Sequence, residues 1–140
     1  MIGDNLQTLM TYKSLHISVS INRPADQVYE FASNPENLPQ WAAGLSGSIK
    51  NVNGDWIAKS PMGRISIEFA ERNKFGILDH DVTLPSGAKV YNPMRVLPNN
   101  DGSELIFTLY QRPDMSDRMF DEDAKEVARD LEKLKILLEK

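Results

Sequence analysis

The chain has 140 residues, 41% hydrophobic and 26% charged, with a formal net charge of −4. That is the balance of one globular domain, not of a disordered, fibrous or membrane-spanning chain. Cysteine is absent, which excludes disulfides, thiolate metal sites and cysteine nucleophiles. Both charge signs are spread along the sequence, so no basic footprint for nucleic acid is expected. No apolar run approaches the roughly 20 residues that cross a bilayer, so no integral membrane contact is expected either.

Residues 1–13 show no persistent period and read as a loose tail preceding one domain over residues 14–140. They lack the basic and apolar regions of a signal peptide, so a cytoplasmic location is the expectation, with Met1 or Met10 as the natural start. From Leu15 the sequence alternates strictly. Leu15, Ile17, Val19 and Ile21 share one face and His16, Ser18, Ser20 and Asn22 the other, which predicts a half-buried strand. Pro24 then opens a helix with Val28, Tyr29, Phe31 and Ala32 on its apolar side, and Ser33-Asn34-Pro35 stops it. A second short helix carries Leu38, Trp41, Ala42 and Leu45 at helical spacing, despite Pro39.

After Gly44 the punctuation changes. Gly47, Gly54, Gly63, Gly76, Gly87 and Gly102 stand beside Asn, Asp, Pro or Ser and separate runs suited to strands. Strands are predicted near 48–52, 55–60, 64–72, 76–84, 88–97 and 103–112. The final segment returns to a period near 3.6, with Phe120, Ala124, Val127, Ala128, Leu131, Leu134 and Leu138 in a stripe and Asp114 or Ser116 as N-cap. Its other side carries Asp121, Glu122, Lys125, Glu126, Arg129, Asp130, Glu132 and Lys133. This reads as a solvated face, with Asp121–Lys125 and Glu126–Arg129 suitably spaced for ion pairs.

The order strand, two helices, six strands, long helix predicts an α+β fold with a seven-stranded curved antiparallel sheet. Its concave face needs a cover of comparable length, and the last helix supplies about 35 Å. Ala124 and Ala128 would allow close approach at mid-length. The space that such a helix leaves unfilled is a candidate apolar pocket.

The stretch Ile21-Asn22-Arg23-Pro24-Ala25-Asp26-Gln27-Val28-Tyr29, leading to Trp41, resembles the START-related or Bet v 1-like superfamily. So does the closing Asp130-Leu131-Glu132-Lys133-Leu134-Lys135. The stretches Gly76 to Pro85 and Asn92 to Val96 are similar to its bacterial polyketide cyclase/dehydrase-like branch. The resemblance implies a helix-grip fold, and an internal pocket for a lipid, aromatic or polyketide-like ligand. Members of the superfamily bind, catalyse cyclisation or assist other proteins, so it implies no single activity.

Registering the strands by their apolar residues gives an interior set of Trp56, Ile65, Ile67, Phe69, Leu78, His80, Val82, Val90, Asn92, Met94, Leu105, Phe107 and Leu109, with Met115, Met119 and Phe120 from the helix. Of these, Trp56, Ile67, Phe69, His80, Asn92, Met94, Phe107, Met119 and Phe120 are the expected ligand contacts. His80 is the candidate general acid/base, since its ordinary pKa lies near neutrality, and Asn92 is a candidate donor to an enolate oxygen. A neutral, hydrogen-bonded structural histidine is the plainer reading. Asp79 and Asp81 point to the opposite face from His80 in a regular strand, though a bulge near Pro93 would alter that. Arg95 reads as a surface cation pairing with a cross-strand carboxylate such as Glu104, and Trp41 as a packing plug.

No metal spacing, phosphate loop or serine elbow is present, so no cofactor is expected. The expected partner is a small apolar or amphipathic molecule, bound by a monomer or homodimer. Two alternatives stand beside a binding module. One is a cyclase or dehydratase using His80. The other is a protein-interaction domain with a closed pocket, for which Ile57, Ile77, Ile106 and Tyr110 would form an exposed patch.

Overall fold

The computed structural model describes residues 9–45 and 47–140. Leu9 to Lys13 is exposed coil. The rest of the expected tail, residues 1–8, and one serine of the loop after Gly44 lie outside the described residues.

Strand β1 (Ser14–Ile21) is followed by helix α1 (Ala25–Ala32), a 3₁₀ turn (Pro35–Asn37) and a single helical turn, α2 (Leu38–Trp41). The carbonyl of Pro24 accepts from Val28 N and starts α1, which buries Val28, Tyr29 and Ala32. Asn34 Oδ1 accepts from Glu36 N and caps the 3₁₀ turn. The strands β2 (Ile49–Val52), β3 (Asp55–Ser60), β4 (Gly63–Phe69), β5 (His80–Thr83), β6 (Lys89–Asn92), β7 (Met94–Asn99) and β8 (Gly102–Tyr110) come next, and helix α3 (Asp117–Glu139) closes the chain. All pairings are antiparallel, in the orders β1-β8-β7 and β2-β3-β4-β5-β6.

The run expected as one strand over 88–97 is thus two, because Pro93 has no N–H to give a ladder and turns the chain from one sheet into the other. The preceding run bends in step. Leu78 N donates to Met94 O and Val96 N to Gly76 O, while His80 to Thr83 pairs with β6. Followed through this corner, β6 and β7 are one bent strand and the two sheets one curved surface. Gly76 is required here: its φ is +71°, and a Cβ would lie 2.1 Å from Val96 O.

Ser116 is the N-cap of α3, its Oγ accepting from Met119 N at 3.1 Å. Phe120, Leu131 and Leu134 are buried, but Ala128 is exposed and gives no close approach to the sheet. At about 100° per residue, Ala128 lies roughly 80° to one side of the direction set by Phe120, outside the seam the helix presents to the sheet. The pairs expected at Asp121–Lys125 and Glu126–Arg129 are not among the ion pairs of the described residues. Arg118–Glu122 and Lys135–Glu139 take that role.

The far end of α3 is tied to β1. Lys135 Nζ donates to Ser20 O at 2.7 Å, and Asn22 N donates to Glu139 Oε2 at 2.7 Å. The two stretches that carry the resemblance therefore meet in space. The main core, with Ile21, Val28, Trp41, Leu78, Met94, Leu105, Leu131 and Leu134, lies between this helix, α1 and the sheet. No helix among the described residues is long and apolar enough to cross a membrane.

Candidate ligand cavity

Where α3 leaves the curved sheet, a cavity of about 300 Å³ opens between them. The sheet contributes Val82, Leu84, Val90, Asn92, Phe107 and Leu109, and the helix contributes Met119, Asp123, Glu126, Val127 and Asp130. Met62, Arg112 and Met115 complete the wall. Met62 is 64% and Met119 48% exposed, so these adaptable side chains form the rim.

The helix wall overturns part of the solvated-face expectation. Glu126 and Asp130 belong to the flank turned toward the cavity, together with Asp123, and all three are half-buried. Asp130 Oδ1 accepts from Ala43 N at 3.1 Å, tying α3 to the loop after α2. Burial, reinforced by the neighbouring charge of Glu126, pushes the Asp130 carboxyl up to about 6 against the Ala43 hydrogen bond. Burial and the nearby Glu126 raise Asp123 as well, opposed by Arg112. These three carboxylates do not converge as metal ligands do; among the described residues no metal-binding group of His, Asp or Glu exists.

Apart from His80, the expected ligand contacts separate into three groups. Asn92, Phe107 and Met119 line the cavity. Trp56, Ile67 and Phe69 border a different, more polar groove of 340 Å³ shared with Pro35 and Lys89. Met94, at 0% exposure, and Phe120, at 1%, are packed core.

His80 is not part of the cavity lining; it borders a separate recess with Phe69, Asp79 and Tyr91, beside its register partner Asn92, with its ring 5.0 Å from that of Phe69 and 6.0 Å from that of Phe107. Its Nδ1 lies 3.0 Å from Leu78 O. A carbonyl oxygen only accepts, so in the neutral ring Nδ1 carries the proton and Nε2 presents a lone pair. Burial holds the imidazole below its ordinary pKa, against the Leu78 bond and the charges of Asp79 and Asp81. Asn92 Nδ2 gives one hydrogen to Val90 O at 3.4 Å, leaving its second N–H as a donor and its Oδ1 as an acceptor.

Arg95 does not pair with Glu104. It meets Asp79, with Nε–Oδ1 at 3.2 Å and Nη2–Oδ2 at 3.1 Å. The same carboxylate accepts from Met94 N and Tyr91 Oη, so Asp79 clamps the Pro93 corner. Glu104 instead accepts from Ser20 Oγ and Asn99 Nδ2. Sequence reasoning missed Asp79 as a hub because its partners come from a strand more than ten residues on.

A family model described as polyketide cyclase / dehydrase and lipid transport matches residues 13–139. The chain belongs to this family. Solved structures with the same fold include an uncharacterised protein from Bacillus thuringiensis, at 15% identity and a TM-score of 0.70 over 89% of this chain and 98% of that one. XoxI from Bacillus cereus matches at 15% identity and 0.68 over 91% and 95%. DynU16, from the dynemicin biosynthetic locus, matches at 16% identity and 0.67 over 90% of this chain but 47% of its own. No curated protein matches the sequence. As a member of this polyketide cyclase/dehydrase and lipid transport family, the chain carries its helix-grip architecture, and its cavity lies between the gripping sheet and the gripped helix.

Proposed function

We propose that the protein binds a small amphipathic molecule in the cavity between α3 and the sheet. The observation that carries this is the cavity itself: about 300 Å³, open to solvent on one side, mostly apolar on the sheet side, with a few polar groups on the helix side. That size and lining are those of small-molecule sites. Membership of a family described by cyclase, dehydrase and lipid transport activities supports the same reading. Titration with the fluorescent apolar probe N-phenyl-1-naphthylamine tests it. Val127→Trp fills the cavity from the helix side, and is expected to weaken probe binding at least tenfold while circular dichroism stays unchanged. Equal binding by the folded variant would sink the proposal.

One observation favours catalysis as a second reading. The Leu78 carbonyl orients His80 with a free Nε2 lone pair, and burial keeps the ring neutral, as a base for a proton alpha to a carbonyl requires. On this reading His80→Gln leaves probe binding within about twofold and abolishes turnover of a ketone-bearing substrate, an effect on the order of 100-fold or more. Unchanged turnover would remove His80 from the chemistry. The interaction-domain reading loses its support, since Ile57, Ile77, Ile106 and Tyr110 are all half-buried.

A further inference from the structure

The curved surface is interrupted on one side of the Pro93 corner. Thr108 N donates to Pro93 O at 3.0 Å, and beyond that bond β6 and the end of β8 separate, with no strand pairing between them among the described residues. A slit of about 310 Å³ lies there. Val90, Asn92, Leu109 and Arg112 border it, and so do Tyr12, Tyr91 and Tyr110. Strand parity puts Tyr91 and Tyr110 on the outer face of the sheet, opposite to Val90, Asn92 and Leu109.

Val90, Asn92, Leu109 and Arg112 also border the cavity between α3 and the sheet. The same four residues therefore stand between the cavity and the outer face, at a place where no ladder closes the sheet. Opening this partition takes side-chain rotation at Val90 and Leu109 and breaks no ladder hydrogen bond between β6 and β8. The cavity's other mouth, at the Met62 and Met119 rim, differs in chemistry. Asp123 stands one helical turn beyond Met119, and Glu126 and Asp130 follow along the cavity wall. An apolar body entering there strips water from carboxylates. No residue bordering the slit is acidic, and its tyrosines offer aromatic surface. Arg112, the one charged group of the slit, has its Nε 3.7 Å from Asp114 Oδ1.

We propose that the slit between β6 and β8 is the ligand's passage into the cavity, with Val90 and Leu109 as its gate and Tyr91 and Tyr110 flanking its outer opening. This rests on the binding reading above and deepens it by assigning the route. The ligand crosses the sheet from its outer face, and the acidic flank of α3 is met only from within.

The absence of cysteine from the chain makes the test direct. Tyr91→Cys/Tyr110→Cys supplies the only two thiols, and a short bismaleimide across them, verified by intact mass, ties the two walls of the slit together. Stopped-flow fluorescence with N-phenyl-1-naphthylamine then compares the bridged and unbridged forms of this variant. The bridge is expected to slow association and dissociation at least tenfold each and to leave Kd within about twofold, because a gate changes rates and not end states. Should the bridge not form, Tyr91→Ala/Tyr110→Ala decides, with both rates expected to rise about threefold or more over the parent as the opening widens. Unchanged rates in the bridged form, or in the alanine variant where that one decides, overturn the passage and leave the rim as the route. A parent protein that binds no probe overturns the passage together with the binding reading.

Discussion

Asp130 is the residue whose behaviour departs furthest from its place in the sequence. Its carboxyl is pushed up to about 6 in the fold, against roughly 3.9 in an unfolded chain. Between those values the folded state holds the proton more tightly than the unfolded state. The Asp130 contribution to stability is therefore greatest below about pH 4 and declines as pH rises toward 6, after which its penalty is constant. Replacement by Asn keeps an oxygen for Ala43 N and removes the charge. Asp130→Asn is expected to stabilise the protein at pH 7.5 by on the order of 1 kcal/mol, a value discounted because the group is only partly buried. At pH 3.5 the gain should vanish. Urea melts at the two pH values measure the difference, and equal gains at both would refute the assignment. His80 acts in the opposite sense. Its folded pKa lies below the ordinary value, so the stability it permits is complete above about pH 6.5 and falls as the pH drops below that.

At the scale of elements, two features place the site. The first is the roll of α3 about its axis. Phe120, Leu131 and Leu134 point into the core, which carries Asp123, Glu126 and Asp130 roughly 60 to 120° to one side, toward the cavity, and Ala128 to the other, toward solvent. The second is the corner at Pro93. There Asp79 gathers Met94 N at 2.9 Å, Tyr91 Oη at 3.1 Å and the Arg95 guanidinium. Burial raises its pKa, but the hydrogen bonds from Arg95, Met94 and Tyr91 outweigh that and leave it below the ordinary carboxylate value. Its contribution is thus present above about pH 4 and lost as pH falls through the lowered folded value. Asp79→Ala leaves the Met94 amide at the corner without its acceptor and is expected to cost about 2 kcal/mol at neutral pH. Denaturant melts check this. A cost below about 0.5 kcal/mol would show that the corner holds without the clamp.

Across the whole molecule, the grip closes where the ends of the domain meet. Lys135 and Glu139 of α3 bond the backbone at Ser20 and Asn22, at the end of β1. Beside them the turn into β8 passes so close that a Cβ on Gly102 would lie 2.7 Å from Ile21 O. Gly102→Ala must push β1 away from the turn and is expected to cost about 2 kcal/mol, on the scale of an overpacked core. A thermal melt within a degree of the parent would show the contact to be slack.

Much of this architecture was legible in the chain. Alternation over 15–22 and 103–112, the proline and asparagine breaks around the two short helices, and the stripe from Phe120 to Leu138 are local patterns, set by the periods of strand and helix. They determined the elements, their order and the inward side of most strands, including the row of Phe69, His80 and Asn92. The cavity wall was legible only in part. Val82, Val90, Asn92, Phe107 and Leu109 follow from strand parity, which is a two-valued choice. The acidic flank does not, because helix periodicity identifies the most apolar direction but not which neighbouring flank faces a sheet and which faces water. Nor does the partnership of Asp79 with Arg95, which depends on where a proline turns a strand. The sequence by itself determined a helix gripped by a curved antiparallel sheet. Only the tertiary structure decided which carboxylates face the cavity, because the roll of α3 is set by packing against β1 and β8, far away along the chain.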